Sequence, residues 1–179
     1  VFRTSRQVEE LLQTNCLTIL PSIKRLQTVK GPVDNKKATL EPSGSPMMTG
    51  NHNWILWQVV DAPFSRFTEA IRSIKVATDL NGVIKSNRVI AVTSTLPNEG
   101  KSTVAANFAQ LIAHAGARAI LIDADLRNPS LSRAIPPRNE VGLVDVIAKK
   151  TTLEHAVWTD PVTQLTFLAA GASAKLLHT

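Results

Sequence analysis

The chain has 179 residues, of which 44% are hydrophobic and 19% charged, and its 20 lysine and arginine residues exceed its 14 acidic residues. This composition excludes an intrinsically disordered protein and supports one modest globular domain with additional segments. No apolar run approaches the roughly 18 residues of a membrane-spanning helix, and a single cysteine excludes an internal disulfide.

The formal net charge of +6 raises nucleic acid as a partner. The basic residues are mostly scattered, and few aromatic residues lie among those that cluster, which are Lys24, Arg25, Lys30, Lys36 and Lys37. Because no platform for stacking bases is visible, we expect no nucleic-acid partner. The basic cluster could instead bind an anionic membrane surface, at about 1 kcal/mol per charge, or it could be a solvated linker.

Residues 1–22 are predicted to form a small helix-strand segment. Thr4 and Gln7 have the spacing of a capping box, and a short apolar stripe follows them. Residues 16–20 have the pattern of a strand, in which Cys16 would be a reduced core thiol. Residues 23–53 are rich in Lys, Pro, Gly and Ser, and we expect them to form a flexible linker.

The main domain is expected to begin with an apolar cluster at residues 54–57. A helix is predicted from Pro63 to about Leu80, because proline suits the first turn of a helix. Its core-facing side chains recur at helical spacing, and they are Phe64, Phe67, Ile71 and Ile74.

The next stretch has the order strand, loop, helix. A β-branched run at residues 89–92 leads through a polar loop into Gly100, Lys101 and Ser102, and helical spacing follows. A helix N-terminus favours an anion, Lys101 can reach the β- and γ-phosphates of a nucleotide, and the Ser102 hydroxyl suits Mg²⁺. The strict phosphate-loop pattern has glycine where this sequence has Thr95, so an ordinary helix start is the alternative.

A second strand is predicted at residues 118–122, after a helix stop at Gly116, and it ends in Asp123 and Asp125. The resulting β-α-β unit places both strand ends on one edge of a parallel sheet. The two carboxylates would then lie beside Lys101, where they could hold Mg²⁺ against a phosphate. The alternative is a polar strand end that caps a turn.

Later elements complete an α/β pattern. They are a helix at residues 142–149 with Leu143, Val146 and Ile147 facing inward, a further turn at residues 152–157 and a third strand at residues 164–169. We therefore predict a parallel sheet flanked by helices, incomplete at its C-terminus.

Two segments resemble the motifs of a known family. Residues 93–103, TSTLPNEGKST, and residues 120–129, ILIDADLRNP, closely resemble the Walker A and Walker A′ motifs of the bacterial tyrosine kinases of polysaccharide export. The resemblance implies a P-loop NTPase-like kinase domain, at residues 54–179, that binds ATP and Mg²⁺. It also implies phosphorylation of tyrosines in a neighbouring subunit and control of capsule or exopolysaccharide biosynthesis and export.

The resemblance further implies residue roles. Lys101 would act on the phosphates and Ser102 on the metal. Asp123 and Asp125 would surround the metal and the attacking hydroxyl. The residues implied to contact the nucleotide are Thr95, Pro97, Asn98, Glu99, Gly100, Lys101, Ser102, Thr103 and Arg127.

Three charged residues, Glu69, Arg72 and Lys75, recur at a spacing of three on the predicted helix. They resemble the E-x-x-R-x-x-R helix through which subunits of the family meet in ring oligomers. Lys75 replaces the final arginine, and a lysine cannot copy a bidentate arginine contact. The alternative is a solvated charged face with an internal ion pair.

The two ends of the chain can also be compared with the family pattern. Residues 2–10 resemble the family segment just after the second membrane helix, which implies a location at the inner face of the bacterial inner membrane. The family's Walker B strand and tyrosine-rich tail do not occur before Thr179, and the chain contains no tyrosine. We therefore expect an incomplete ATP-binding part of the kinase, on which tyrosine autophosphorylation cannot occur.

Two other classes of protein remain as alternatives. The first is a P-loop ATPase of the partitioning and division-site type, which carries a signature lysine where this sequence has Leu96. The second is a non-enzymatic assembly module, in which the helix that carries Glu69 docks a partner and nucleotide only stabilises the fold.

Overall fold

The computed structural model describes residues 4–23, 54–80, 89–135 and 141–171. The helices within these ranges are α1 (Ser5–Leu12), a 3₁₀ helix (Trp54–Trp57), α2 (Gln58–Asp61), α3 (Arg66–Leu80), α4 (Lys101–His114), α5 (Ser130–Ala134), α6 (Leu143–Ile147) and α7 (Leu153–Ala156). The strands are β1 (Ile120–Ile122), β2 (Val157–Thr159) and β3 (Thr166–Leu168). None of the helices in this described part of the chain is long and apolar enough to cross a membrane.

The three strands form one sheet in the order β1-β3-β2. β1 and β3 are parallel, with Leu121 opposite Phe167, in keeping with the predicted parallel sheet. β2 runs antiparallel to β3, with Trp158 opposite Phe167. The sequence pattern predicted only a turn in this region, because a three-residue edge strand is too short to show its period.

The main core lies between α4 and the sheet. Small side chains on one face of α4, at Ala106, Ala109 and Ala113, allow the helix to pack close to Leu121 of β1 and Phe167 of β3. The other buried members of this cluster come from the 3₁₀ helix, α5 and the segments beside β3, and they are Leu56, Trp57, Leu131, Ile135, Leu165 and Ala169. The phosphate-loop helix is therefore fixed to the sheet along its length.

A second core cluster joins α3 to the outer side of α4. Phe67 and Ile71 of α3 pack with Val59 of α2 and Phe108 of α4. Phe67 and Ile71 are buried and Ile74 is partly buried, as the helical spacing predicted. Leu20 and Ile23 pack against the same cluster, so the segment that follows α1 contacts the main domain.

Two buried amide side chains tie α4 to the 3₁₀ helix and α2. Asn107 donates to the carbonyl oxygens of Ile55 and Thr103, both at 2.9 Å, and its Oδ1 accepts from the backbone N–H of Val59 at 3.0 Å. Gln110 donates to the carbonyl oxygen of Leu56 at 2.9 Å. Apart from the bond to Thr103, which lies within α4, these bonds pair the amide side chains of α4 with backbone groups of the 3₁₀ helix and α2.

The predicted helix stop at Gly116 is confirmed, since α4 ends at His114 and Gly116 has φ +86°. The N–H of Gly116 bonds to the carbonyl of Ala113 at 2.9 Å, and the N–H of Ala117 bonds to that of Ile112 at 3.3 Å. This pair of bonds is a Schellman motif, in which glycine takes the left-handed position at no steric cost.

Two predicted strands are wrong. Residues 89–92 are not assigned to a strand, and Val89 and Ile90 are 91% and 43% exposed. Residues 16–20 form no strand either, although α1 begins as predicted with Thr4 as its N-cap. A strand needs a hydrogen-bonded partner, which the β-branched composition of one segment cannot supply. Cys16 is consequently a free, half-buried thiol outside the core clusters.

The start of α3 also differs from the prediction. The helix begins at Arg66 because the Ser65 hydroxyl accepts from the N–H of Thr68 at 3.2 Å and so caps it. Phe64 therefore lies in the preceding turn, where it is 93% exposed, and its assignment to the core was wrong. Ile147, predicted to face inward on α6, is exposed as well. The predicted linker at residues 23–53 lies, apart from Ile23, outside the described residues.

Candidate nucleotide-binding site

The loop before α4 has the backbone geometry of a phosphate loop. Gly100, directly before the helix, has φ +92°, and Asn98 has φ +65°. Gly100 accepts the first helical hydrogen bond from the N–H of Val104 at 2.9 Å. The first N–H groups of this 14-residue helix are thus available to an anion, with the positive end of the helix dipole behind them.

Side chains within the loop hold its shape. The Glu99 carboxylate accepts from the N–H of Leu96 at 2.9 Å, and the Ser94 hydroxyl donates to the carbonyl oxygen of Leu96 at 3.0 Å. Glu99 was expected to contact the nucleotide, yet its carboxylate bonds to the loop backbone. Its contribution in this geometry is to fix the loop.

Lys101 and Asp125 meet across the end of β1. The Lys101 ammonium lies 3.0 Å from Asp125 Oδ2, and the two side chains are 29% and 27% exposed. Asp125 Oδ1 also accepts from the N–H of Asn128 at 2.9 Å. The Asn128 hydrogen bond first, and then the hydrogen bond and charge of Lys101, hold the pKa of Asp125 below its ordinary value of 3.8.

Asp123 has different surroundings from Asp125. It is only 3% exposed, and its Oδ2 accepts from both the N–H and the hydroxyl of Ser132, at 2.8 and 2.7 Å. Its Oδ1 accepts from the N–H of Asp125 at 3.3 Å. Both carboxylate oxygens are therefore engaged by the protein, and Asp123 joins the end of β1 to α5.

A cleft of about 300 Å³ opens at the start of α4. Six of the predicted nucleotide contacts line it, namely Pro97, Asn98, Gly100, Lys101, Ser102 and Thr103. Thr95, Glu99 and Arg127 are not among the lining residues, and all three are exposed. The lining residues that sequence analysis missed are Ile55, Leu56, Asn128, Ser130, Leu131 and Ala134. Only Asn128 and Ser130 had a signal in the sequence, because they lie in or directly after the second motif.

One missed residue touches the predicted metal ligand. The hydroxyl oxygens of Ser102 and Ser130 are 2.8 Å apart, which brings the first residue of α5 against the first turn of α4. Ser102 is thus presented toward the cleft by one helix and contacted by another.

The three predicted subunit-contact residues lie on α3 and do not line this cleft. Arg72 forms an ion pair with Glu69, and Lys75 pairs with Asp79 at 2.6 Å. A shallow groove of about 380 Å³ runs along the same helix, lined by Glu69, Arg72, Ser73, Val76, Ala77 and Leu80. Val76 and Leu80 are among the exposed apolar side chains.

Residues 90–170 match the family model of the CobQ/CobB/MinD/ParA nucleotide-binding domain, CbiA. The matched range contains the loop, α4 and α5, which supply most of the cleft lining, whereas Ile55 and Leu56 of the 3₁₀ helix lie outside it. This part of the chain is therefore similar to CbiA/ParA-like nucleotide-binding domains.

Two curated proteins are similar in sequence to a large part of the chain. It is 43% identical over 120 residues to the succinoglycan biosynthesis transport protein ExoP of Rhizobium meliloti (strain 1021), and 38% identical over 109 residues to the tyrosine-protein kinase YwqD of Bacillus subtilis (strain 168). These alignments cover 67% and 61% of this chain, which spans 15% and 46% of the two relatives. The chain is thus similar in sequence to part of a tyrosine-protein kinase and to part of a succinoglycan biosynthesis transport protein.

A solved structure supports the fold. The crystal structure of the chimerical protein CapA2B2 superimposes with a TM-score of 0.67 and 24% sequence identity, covering 98% of this chain and 65% of that one. The prediction of a P-loop NTPase-like α/β fold is therefore confirmed.

Proposed function

We propose that the chain is the ATP- and Mg²⁺-binding part of a bacterial protein-tyrosine kinase that regulates the biosynthesis and export of exopolysaccharide or capsule. The observation that carries the proposal is the approach of Lys101 to Asp125, 3.0 Å apart at the N-terminus of α4. The Lys101 ammonium, which can bind phosphate, lies beside the Asp125 carboxylate, which can bind the metal ion that accompanies a nucleotide.

The nucleotide phosphates are proposed to lie at the start of α4. The left-handed backbone at Gly100 lets the loop approach a phosphate closely, and no neighbouring atom lies within 4 Å of the position that a side chain would take. Lys101 neutralises phosphate charge, while Asn98 and Thr103 line the same cleft. The dimensions and donors of the cleft therefore suit a triphosphate.

Ser102 and Asp125 are proposed to hold Mg²⁺. Both offer oxygen ligands, and the lowered pKa of Asp125 keeps its carboxylate ionised to lower pH than an ordinary aspartate. Bound Mg²⁺ would screen the phosphate charge during phosphoryl transfer. Asp123 was expected to share this role, but it is only 3% exposed and holds Ser132 of α5, whereas the Asp125 side chain is 27% exposed. We therefore assign the metal to Asp125 and give Asp123 a part in positioning α5.

The phosphate acceptor is proposed to be a tyrosine of a neighbouring subunit of the parent protein, outside these 179 residues, which contain no tyrosine. The exposed face of α3 that carries Glu69, Arg72 and Lys75 is the proposed contact between subunits of a ring homo-oligomer. The parent protein would work with the polysaccharide export machinery at the inner face of the inner membrane, where its basic residues could meet anionic lipid.

Two observations separate the kinase from the alternatives. A partitioning or division-site ATPase carries its signature lysine where this chain has Leu96, an exposed apolar residue that cannot reach a phosphate as a cation. A purely structural module has no need for an ionised Asp125 held beside Lys101. The kinase assignment accounts for both features.

The kinase assignment is tested by phosphoryl transfer in the full-length protein. Incubation with γ-labelled ATP and Mg²⁺ should place label on tyrosine, and Lys101→Ala should abolish it. The matched control is Lys75→Ala, which removes a lysine on α3 that does not line the cleft. Nucleotide binding without any tyrosine label would contradict the kinase and favour the assembly module.

A further inference from the structure

α5 places a serine hydroxyl against the predicted metal ligand. Ser130 Oγ lies 2.8 Å from Ser102 Oγ, within the range of a good O–H···O hydrogen bond. Ser102 opens the phosphate-binding helix, and Ser130 opens the short helix that follows the second motif. Both residues line the same cleft.

A hydroxyl group has one proton and two lone pairs. If Ser102 gives a lone pair to Mg²⁺, its proton must point away from the metal toward an acceptor. Ser130 Oγ is such an acceptor, already within hydrogen-bond distance. Partners of this kind orient metal ligands and contribute to metal affinity without touching the metal.

The position of Ser130 is fixed by the contacts that its neighbours on α5 make. Two residues further along α5, the Ser132 hydroxyl donates to Asp123 at 2.7 Å and accepts from the N–H of Ala170 at 2.9 Å. Between the two serines, Leu131 is buried in the main core. The end of β1, the end of β3 and the core therefore fix the position of α5 and, with it, the Ser130 hydroxyl.

We propose that Ser130 is a positioning residue that orients the Ser102 hydroxyl toward nucleotide-bound Mg²⁺. The proposal rests on the proposed function, which it extends by one residue that no motif assigned. It concerns the metal-dependent part of nucleotide affinity, because Ser130 acts through Ser102 and not on the phosphates.

The test is titration calorimetry of the full chain with ATP, once in Mg²⁺ and once in EDTA. Ser130→Ala should weaken binding in Mg²⁺ about tenfold and leave binding in EDTA unchanged within twofold. Ser130→Thr, which keeps the hydroxyl, should restore the Mg²⁺ dependence. Ser130→Cys fills similar space with a weaker acceptor and should show the same direction of change as Ser130→Ala.

The matched control is Ser73→Ala, which removes the hydroxyl of an exposed serine on α3 that does not line the cleft. It should leave the ratio of the two affinities unchanged. If the ATP affinities of Ser130→Ala and of the unaltered chain depend equally on Mg²⁺, the proposed role of Ser130 is wrong. It is also wrong if Ser130→Ala loses the same affinity for ATP in Mg²⁺ and in EDTA. Either result would leave the proposed function standing. No binding by the unaltered chain would overturn the proposed function and this inference together.

Discussion

At the scale of single residues, Asp125 is the group whose ionisation the structure controls most clearly. Its carboxylate accepts from the N–H of Asn128 and pairs with Lys101. Both contacts favour the charged form, so they lower the pKa from the ordinary value of 3.8. The carboxylate thus stays charged to lower pH than that of an ordinary aspartate.

Replacing Lys101 should raise the pKa of Asp125 only part of the way to its ordinary value. The reason is that the backbone hydrogen bond from Asn128, the larger cause, remains after Lys101→Ala. Carbon-13 NMR of the Asp125 carboxyl as a function of pH measures both values. An unchanged pKa would mean that the two side chains do not interact in solution.

The same lowered pKa predicts how stability depends on pH. Because the folded pKa lies below the unfolded value of about 3.9, the stabilisation is fully present above that value and is lost as pH falls through the folded pKa. The difference in unfolding free energy between the chain and Asp125→Asn should therefore be constant from about pH 7 to 5 and shrink below about pH 4. Urea unfolding at a series of pH values tests this, and a difference that grows in acid would contradict it.

The backbone at Gly100 gives a further prediction. A Cβ at this position meets no atom within 4 Å, so Gly100→Ala carries only the strain of φ +92°. We expect it to lower the free energy of unfolding by about 1–2 kcal/mol. Asn98→Gly is the control, because φ +65° suits glycine as well as asparagine, and it should change stability by less than about 1 kcal/mol. Urea titrations compare the two, and equal effects would contradict the assigned loop geometry.

At the scale of elements, the spacing of apolar residues predicted the helices and strands that local sequence determines. The bodies of α3, α4 and α6 follow helical spacing, and β1 and β3 lie within the predicted apolar runs. The wrong predictions concern segments whose structure depends on contacts that the local pattern of residues does not show. Residues 89–92 have strand composition without a strand partner among the described residues, and Phe64 lies outside α3 because Ser65 caps the helix one residue later.

Asn107 is the polar side chain that joins the phosphate-loop helix to the elements before it. Its side chain is fully buried, and Asn107→Ala removes its hydrogen bonds to the carbonyl of Ile55 and the N–H of Val59. The expected loss of stability is about 3 kcal/mol. Ser73→Ala, on the exposed face of α3, should stay within about 0.5 kcal/mol. Thermal unfolding of both variants is the measurement, and a small effect at Asn107 would contradict its anchoring role.

At the scale of the whole molecule, the site is assembled from segments far apart in the chain. The two motifs at residues 93–103 and 120–129 identified the loop, Lys101 and Asp125. The apolar wall from the 3₁₀ helix, Ile55 and Leu56, could not be predicted, because only the packing of that helix against α4 brings it to the cleft. The contact between Ser102 and Ser130 likewise depends on how α5 is fixed to the sheet.

The face of α3 predicts self-association of the chain. Exposed ion pairs such as Glu69 with Arg72 contribute at most about 1 kcal/mol to folding, so Arg72→Glu should leave stability nearly unchanged. If the face joins subunits, the same change should abolish concentration-dependent association in analytical ultracentrifugation. Arg6→Glu is the control, since Arg6 forms a similar exposed pair on α1. Association that survives Arg72→Glu would place the interface elsewhere.

The proposed site requires Lys101 and Asp125 to meet at a nucleotide, and calorimetric titration of Mg-ATP into the full chain tests this directly. One saturable site is predicted, weakened at least about tenfold by Lys101→Ala and unaffected by Lys75→Ala. Absence of binding, or equal affinity in the unaltered chain and Lys101→Ala, would contradict the account.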